Sequence, residues 1–264
     1  MKKYLFSLII FCFLSFPALA QEKAKWNPDT WQDAKSTHFI VYYKNAPKEF
    51  IDRILDKAEG YYNEIAASLG FNRYNFWLWD NRAKIYIYDD ASDYKAATSQ
   101  PSWSGGSTIM AAKVIHAYPG VRNFLEETLP HEMGHIIFRE FVGFHNPAVP
   151  LWLDEGVASY EQKINSPFTD TLLKEALEKG TFIPLKDLSG FNLARVSDVT
   201  LIQLFYSESF SLVNFLIKEF GKDQFVLFCQ NLRDKANLER AIASVYPFSN
   251  LAELNSAWER ELKK

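Results

Sequence analysis

Arg122-Asn123-Phe124-Leu125-Glu126-Glu127-Thr128-Leu129-Pro130-His131-Glu132-Met133-Gly134-His135-Ile136-Ile137-Phe138-Arg139-Glu140-Phe141-Val142 is where the chain changes character. Its apolar residues recur at helical spacing, so it reads as one helix. Upstream, short β-branched and aromatic runs alternate with helical segments. Thr37 to Tyr43 and Ala83 to Tyr88 read as strands, and Thr108 to Tyr118, after the Gly105-Gly106 pair, as a third. Between them Pro47 opens a helix, with Ile51, Ile54, Leu55, Ala58, Tyr62, Ile65 and Leu69 on one face and Gly70 at its end. A short helix is expected near Ser92 to Thr98, and residues 21–36 read as an irregular lead-in. Downstream, from Leu151 on, only helices are expected, punctuated at Pro167, Gly180, Pro184, Gly190 and Gly221. Strands gathered toward the N-terminus and helices after them make an α+β chain.

The 264 residues, 48% hydrophobic and 16% aromatic, are enough for a large core and exclude a disordered or repetitive chain. With a net charge of −3 and no basic block, the composition argues against nucleic-acid binding. Lys2 and Lys3, the apolar run Leu5 to Phe16 and Ala18-Leu19-Ala20 read as a secretory signal peptide, residues 1–20, cut after Ala20. Cys12 opens a lipoprotein reading, but Phe11 before it is too bulky for lipoprotein processing. The mature chain would carry 27 Lys and Arg against 32 Asp and Glu, a net −5, and only Cys229. One cysteine forms no internal disulfide, and its neighbours Phe225 to Phe228 make it a buried small hydrophobe. No membrane-spanning run is expected after residue 20. The expected products are a periplasmic or secreted protein and one domain, 21–264, with an N-terminal lobe of about 36–142 and a helical C-terminal lobe of about 150–264.

The chemistry concentrates in His131-Glu132-Met133-Gly134-His135. Residues four apart share a helix face, so both imidazoles can reach one metal ion. Glu132 is rotated by about 100° from His131 and can face a water beside that ion. A catalytic zinc takes three protein ligands and keeps one position open. The segment Trp152-Leu153-Asp154-Glu155-Gly156-Val157-Ala158-Ser159-Tyr160 offers the third as a carboxylate, with small residues that let two helices approach.

H-E-x-x-H followed about twenty residues later by W-L-x-E-G-x-A-S-Y resembles the gluzincin metallopeptidases, in particular the aminopeptidase N-like and peptidase MA-like patterns, over about residues 100–220. The resemblance implies a zincin-like fold, one zinc per chain, His131, His135 and Glu155 as ligands and Glu132 as general base. Asp154 stands as a rival ligand, or as a partner for a ligand histidine. Leu204-Phe205-Tyr206-Ser207-Glu208-Ser209-Phe210-Ser211-Leu212-Val213 resembles the family helix that carries an oxyanion-stabilising tyrosine, and Tyr206 matches it; the alternative is that Tyr206 merely packs. Glu208 and Ser209 read as neighbours.

Two departures are visible. Pro130 precedes the first histidine, where a helix can start without harm. Ser159 stands where some gluzincins have an aspartate. Ser104-Gly105-Gly106-Ser107-Thr108 contains no acid to grip a free N-terminus, so aminopeptidase specificity is not supported. The strand after it is a candidate edge for an extended peptide. His38 and His116 read as structural, and His145 as a loop residue able to meet substrate. The resulting expectation is an exported zinc metallopeptidase acting on peptide or protein substrates. A metal-containing envelope module that binds peptides or a protein partner without cleaving is the alternative from another class, and a zinc hydrolase of non-peptide amides is the third.

Overall fold

The computed structural model describes residues 31–70, 77–100, 105–120, 123–162 and 167–264. The expected leader, the lead-in as far as residue 30, Ser104 and Arg122 lie outside these residues. The elements run β1 (Gln32–Lys35), β2 (Phe39–Tyr43), α1 (Lys48–Ser68), β3 (Ala83–Ile87), α2 (Ala91–Thr98), β4 (Gly106–Ile109), β5 (Val114–Ala117) and α3 (Leu129–Val142). Helices α4 (Leu151–Glu161), α5 (Pro167–Lys179), α6 (Leu185–Ser189), α7 (Val199–Phe220), α8 (Lys222–Lys235), α9 (Leu238–Val245) and α10 (Leu251–Leu262) follow. The order is that of a mixed α+β chain.

The five strands form one mixed sheet in the order β1-β2-β3-β5-β4. The central three are parallel, and β1 and β4 run antiparallel at its edges. Alternation decides the faces. Phe39, Val41, Ile85, Ile87, Ile115 and Ala117 are buried in a core shared with Ile51, Ile54, Ala58 and Ile65 of α1. On the opposite face Tyr42, Tyr86 and His116 stand in one cross-strand row, with Tyr42 stacked on Tyr86 at 4.8 Å and Tyr86 on His116 at 5.3 Å.

Three expectations need correcting. Residues 32–35, read as irregular, are strand β1, which pairs with β2 from Gln32–Tyr43 to Lys35–Ile40. The single strand expected from Thr108 to Tyr118 is two, β4 and β5, antiparallel about a 3₁₀ turn at Met110–Ala112. The turn falls on Ala111, Ala112 and Lys113, which lack the branched side chains that hold a strand, and Lys113 closes it at φ 53°. The helix expected over 122–142 begins as a wide π-helical turn, Phe124–Thr128, with α3 proper starting at Leu129. Pro130 is the second residue of α3 and follows helical backbone directly, so the helix does not begin there as expected, and its missing N–H leaves the preceding wide turn one donor short.

Helix α4 is clamped between α3 and α7 by small residues. A Cβ on Gly134 of α3 would lie 3.1 Å from the Ala158 Cα of α4. A Cβ on Gly156 of α4 would lie 2.4 Å from the Ser209 carbonyl oxygen and 2.7 Å from Val213 Cγ2. The two backbones therefore touch at a distance only glycine permits. Helix α7 is long and apolar enough by composition to cross a bilayer, a point the sequence reading does not anticipate. Its Phe205, Leu212, Val213 and Leu216 are instead buried in the core. Trp258 of α10 donates to Ser211 of α7 at 3.1 Å, and Trp152 of α4 donates to Ser189 of α6 at 3.0 Å, which ties the helices together.

Candidate metal centre

Helix α3 is buried along nearly its whole length, so its polar residues sit in the core by construction. His131 and His135 lie one turn apart, and their Nε2 atoms approach to 3.2 Å. Glu155 reaches them from α4, its Oε2 standing 3.7 Å from each Nε2. One ligand atom from each of the three lies within 4.8 Å of the others. Both Glu155 oxygens are buried without a hydrogen-bond partner. A buried carboxylate left so costs several kcal/mol unless a cation completes it.

The other imidazole nitrogens are occupied. His135 Nδ1 faces Asp154 Oδ1 at 2.9 Å, and His131 Nδ1 faces Gln162 Oε1 at 3.1 Å. Each partner is an acceptor, so each Nδ1 carries the proton and Nε2 is left as the metal-facing atom. Asp154 is itself held by Arg139 Nε at 2.7 Å. Of the two adjacent acids, Asp154 thus backs a histidine while Glu155 faces the cluster. Two imidazoles and one carboxylate form a donor set that suits zinc and kindred first-row cations. The residues present fit such an ion.

The electrostatics agree. Burial lifts the Glu155 carboxyl to about 8, with Asp154 and Glu132 adding to the rise. Burial also raises Glu132, opposed by His135 and by a hydrogen bond from Thr108. Burial pushes His131 well below the ordinary histidine range, and His135 adds to that. Burial would lower His135 too, but Asp154 and Glu155 outweigh it and carry the group to about 9. Asp154 goes below the usual carboxylate range because His135 and Arg139 overcome its burial. Protons and a cation compete for the same three atoms.

Glu132 is fully buried beside the first histidine and is not one of the three clustered donors. Its Oε2 accepts from the Thr108 hydroxyl of edge strand β4, and its Oε1 has no hydrogen-bond partner. A Cβ on Gly106 of the same strand would stand 3.7 Å from Oε1. Sequence reasoning passed over Thr108, Gln162 and Arg139. Thr108 carried a faint signal, since it lies in the strand marked as a peptide edge; Gln162, two turns past Glu155, carried none.

The remaining candidates separate. Tyr206 lies on α7 one turn before Ser209, half-buried, with its ring edge-on to Phe205 at 5.6 Å. Ser209 donates to its own helix at Phe205, and Glu208 accepts from the Ile183 N–H at 2.9 Å, its carboxyl raised by burial to about 9. His145 is exposed in the α3–α4 loop, while its neighbour Asn146 pins that loop to Val142 and Leu232. His38 pairs with Glu59 at 2.6 Å, and His116 meets the Tyr88 hydroxyl at 2.9 Å, its pKa lowered by burial to about 4.

No curated protein matches the chain. A family model described as the Peptidase MA superfamily matches residues 79–264, a span that runs from just before β3 to the last residue. That match covers well over half of the sequence and takes in α3 and α4, the helices that build the cluster, as well as β4 and α7 beside them. By that measure the chain belongs to the Peptidase MA superfamily.

Proposed function

We propose that this protein is an exported zinc metallopeptidase of gluzincin type. The single observation that carries the reading is the buried His131–His135–Glu155 group with both Glu155 oxygens lacking partners. Family membership supports metallopeptidase chemistry and peptide or protein substrates. In this reading His131, His135 and Glu155 hold one zinc, which when bound supplies Lewis acidity to water and carbonyl. Glu132 takes the proton of the attacking water and returns it to the departing amine. The Tyr206 hydroxyl donates to the oxyanion as it develops.

Substrate would lie along β4. Among the described residues β4 pairs only with β5 and is an edge of the sheet, the place where an extended peptide can add as a strand. The mature protein would run from Gln21 to Lys264 as one zincin-like domain, its sheet-bearing lobe at about 36–142 and its helical lobe at about 150–264. The leader is the only support for a periplasmic or secreted location.

One experiment tests these points together. Protein from the exported fraction is expected to have an intact mass beginning at Gln21, one zinc, and activity on a broad peptide library. A mass that retains residues 1–20, or a lipid on Cys12, overturns the processing. Zinc without cleavage of any peptide favours a binding module. Tyr206→Phe should lower kcat by about 10²-fold with KM little changed, since it removes a donor used mainly in the transition state. An unchanged kcat would make Tyr206 a packing residue.

A further inference from the structure

We propose that Thr108 is a positioning residue for Glu132, holding one carboxylate oxygen from the edge strand so that the other stays directed at the attacking water. The inference rests on the reading of Glu132 as proton acceptor, and it names a residue outside the helices that carry the motif.

Strand alternation places Gly106 and Thr108 on one face of β4. That face covers Glu132. The Thr108 hydroxyl donates to Oε2, and Gly106 stands over Oε1 without a side chain. A methyl at 106 would already lie 3.7 Å from Oε1 and would press on Thr128 Cγ2 at 2.9 Å. One strand face thus does two things: it grips one oxygen and leaves room beside the other. The two lone pairs of a carboxylate oxygen and the rotation about its terminal torsion would otherwise let Glu132 turn away, because terminal sp³–sp² torsions are soft. Oε1, buried and without a partner, is the atom left for water.

The strand itself is well fixed. Ser107, on its other face, is in register with His116, which stacks on Tyr86 and meets the Tyr88 hydroxyl. A peptide that pairs along the outer edge of β4 would therefore add to a strand already coupled to the base. Docking and proton transfer would share one element.

The test uses Thr108→Val, which keeps the shape and removes the hydroxyl, and Thr108→Ser, which keeps the hydroxyl. Wild type and Glu132→Gln are measured beside them. Thr108→Val should lower kcat by about 10-fold or more with KM and zinc content unchanged, the usual scale for a group that orients a catalytic side chain. Thr108→Ser should restore most of the loss. Wild-type kcat in Thr108→Val, with Glu132→Gln inactive, overturns the proposal and leaves the peptidase reading standing. Equal damage in Val and Ser, or loss of metal in Val, assigns Thr108 a structural role and also overturns it.

A second arm needs no turnover. Acetohydroxamate binding to the cobalt-substituted protein is followed by the visible spectrum, since a hydroxamate donates a proton to a carboxylate beside the metal. Thr108→Val should weaken it by about 10-fold, with Ser near wild type. Equal affinity in all three proteins overturns the proposal even where the wild type cleaves nothing.

Discussion

Glu132→Gln is expected to keep the metal and to slow peptide hydrolysis by roughly 10²–10⁴-fold, the usual worth of a positioned general base. Glutamine keeps the length and shape of the side chain, and its amide oxygen can still accept the Thr108 hydroxyl. It cannot take a proton from water. Neither Glu132 oxygen belongs to the clustered donors, so zinc stoichiometry should not fall. Burial is no obstacle to the amide, because a neutral group is easier to bury than an ionised one. Zinc analysis and kcat on the same preparation decide the matter. Loss of zinc would move Glu132 into the coordination sphere, and retained activity would end its role as base.

The second large effect concerns two adjacent acids. Glu155→Ala, like His131→Ala, should lose most of the zinc, because two remaining donors hold a catalytic ion poorly. Asp154→Ala should keep the zinc with affinity lowered by about 10–100-fold, as for removal of a group that orients a ligand. The geometry behind the contrast is simple. Both Asp154 oxygens are engaged, one by His135 Nδ1 and one by Arg139 Nε, whereas both Glu155 oxygens lack hydrogen-bond partners. Metal titration of the two variants reads it directly. Zinc stripped by Asp154→Ala but retained by Glu155→Ala would shift the ligand assignment by one residue.

How much of this is legible in the sequence follows the range of each signal. Helical spacing is local, so the shared face of His131 and His135 and the burial of Ile51, Ile54 and Ala58 can be read without a fold. The third donor is twenty residues away, and the W-L-x-E-G resemblance rather than spacing points to it. Strand boundaries are weaker signals. Ala111, Ala112 and Lys113 carry a weak break in the branched run, too short to outweigh its flanks until β4 and β5 pair on either side of it. Partners fixed by tertiary approach leave no periodic trace. Gln162 meets His131 because α3 and α4 cross where they do, and Thr108 meets Glu132 because β4 is the sheet edge next to α3. Tyr206 carries a family resemblance and sits on the helix that packs against α4; no local pattern ranks it above the other tyrosines.

The contact of Gly156 with the Ser209 backbone has a consequence for any survey of substitution tolerance. A side chain there cannot swing aside, because what it meets is main chain, and overpacking of that kind costs about 1–3 kcal/mol or more. Gly156→Ala and Glu155→Ala should therefore fail side by side in an activity screen, for unrelated reasons. The first should deplete folded protein and lower the melting temperature; the second should accumulate normally and lack metal. Scoring abundance alongside activity would split a motif that reads as one string into its architectural letter and its chemical one.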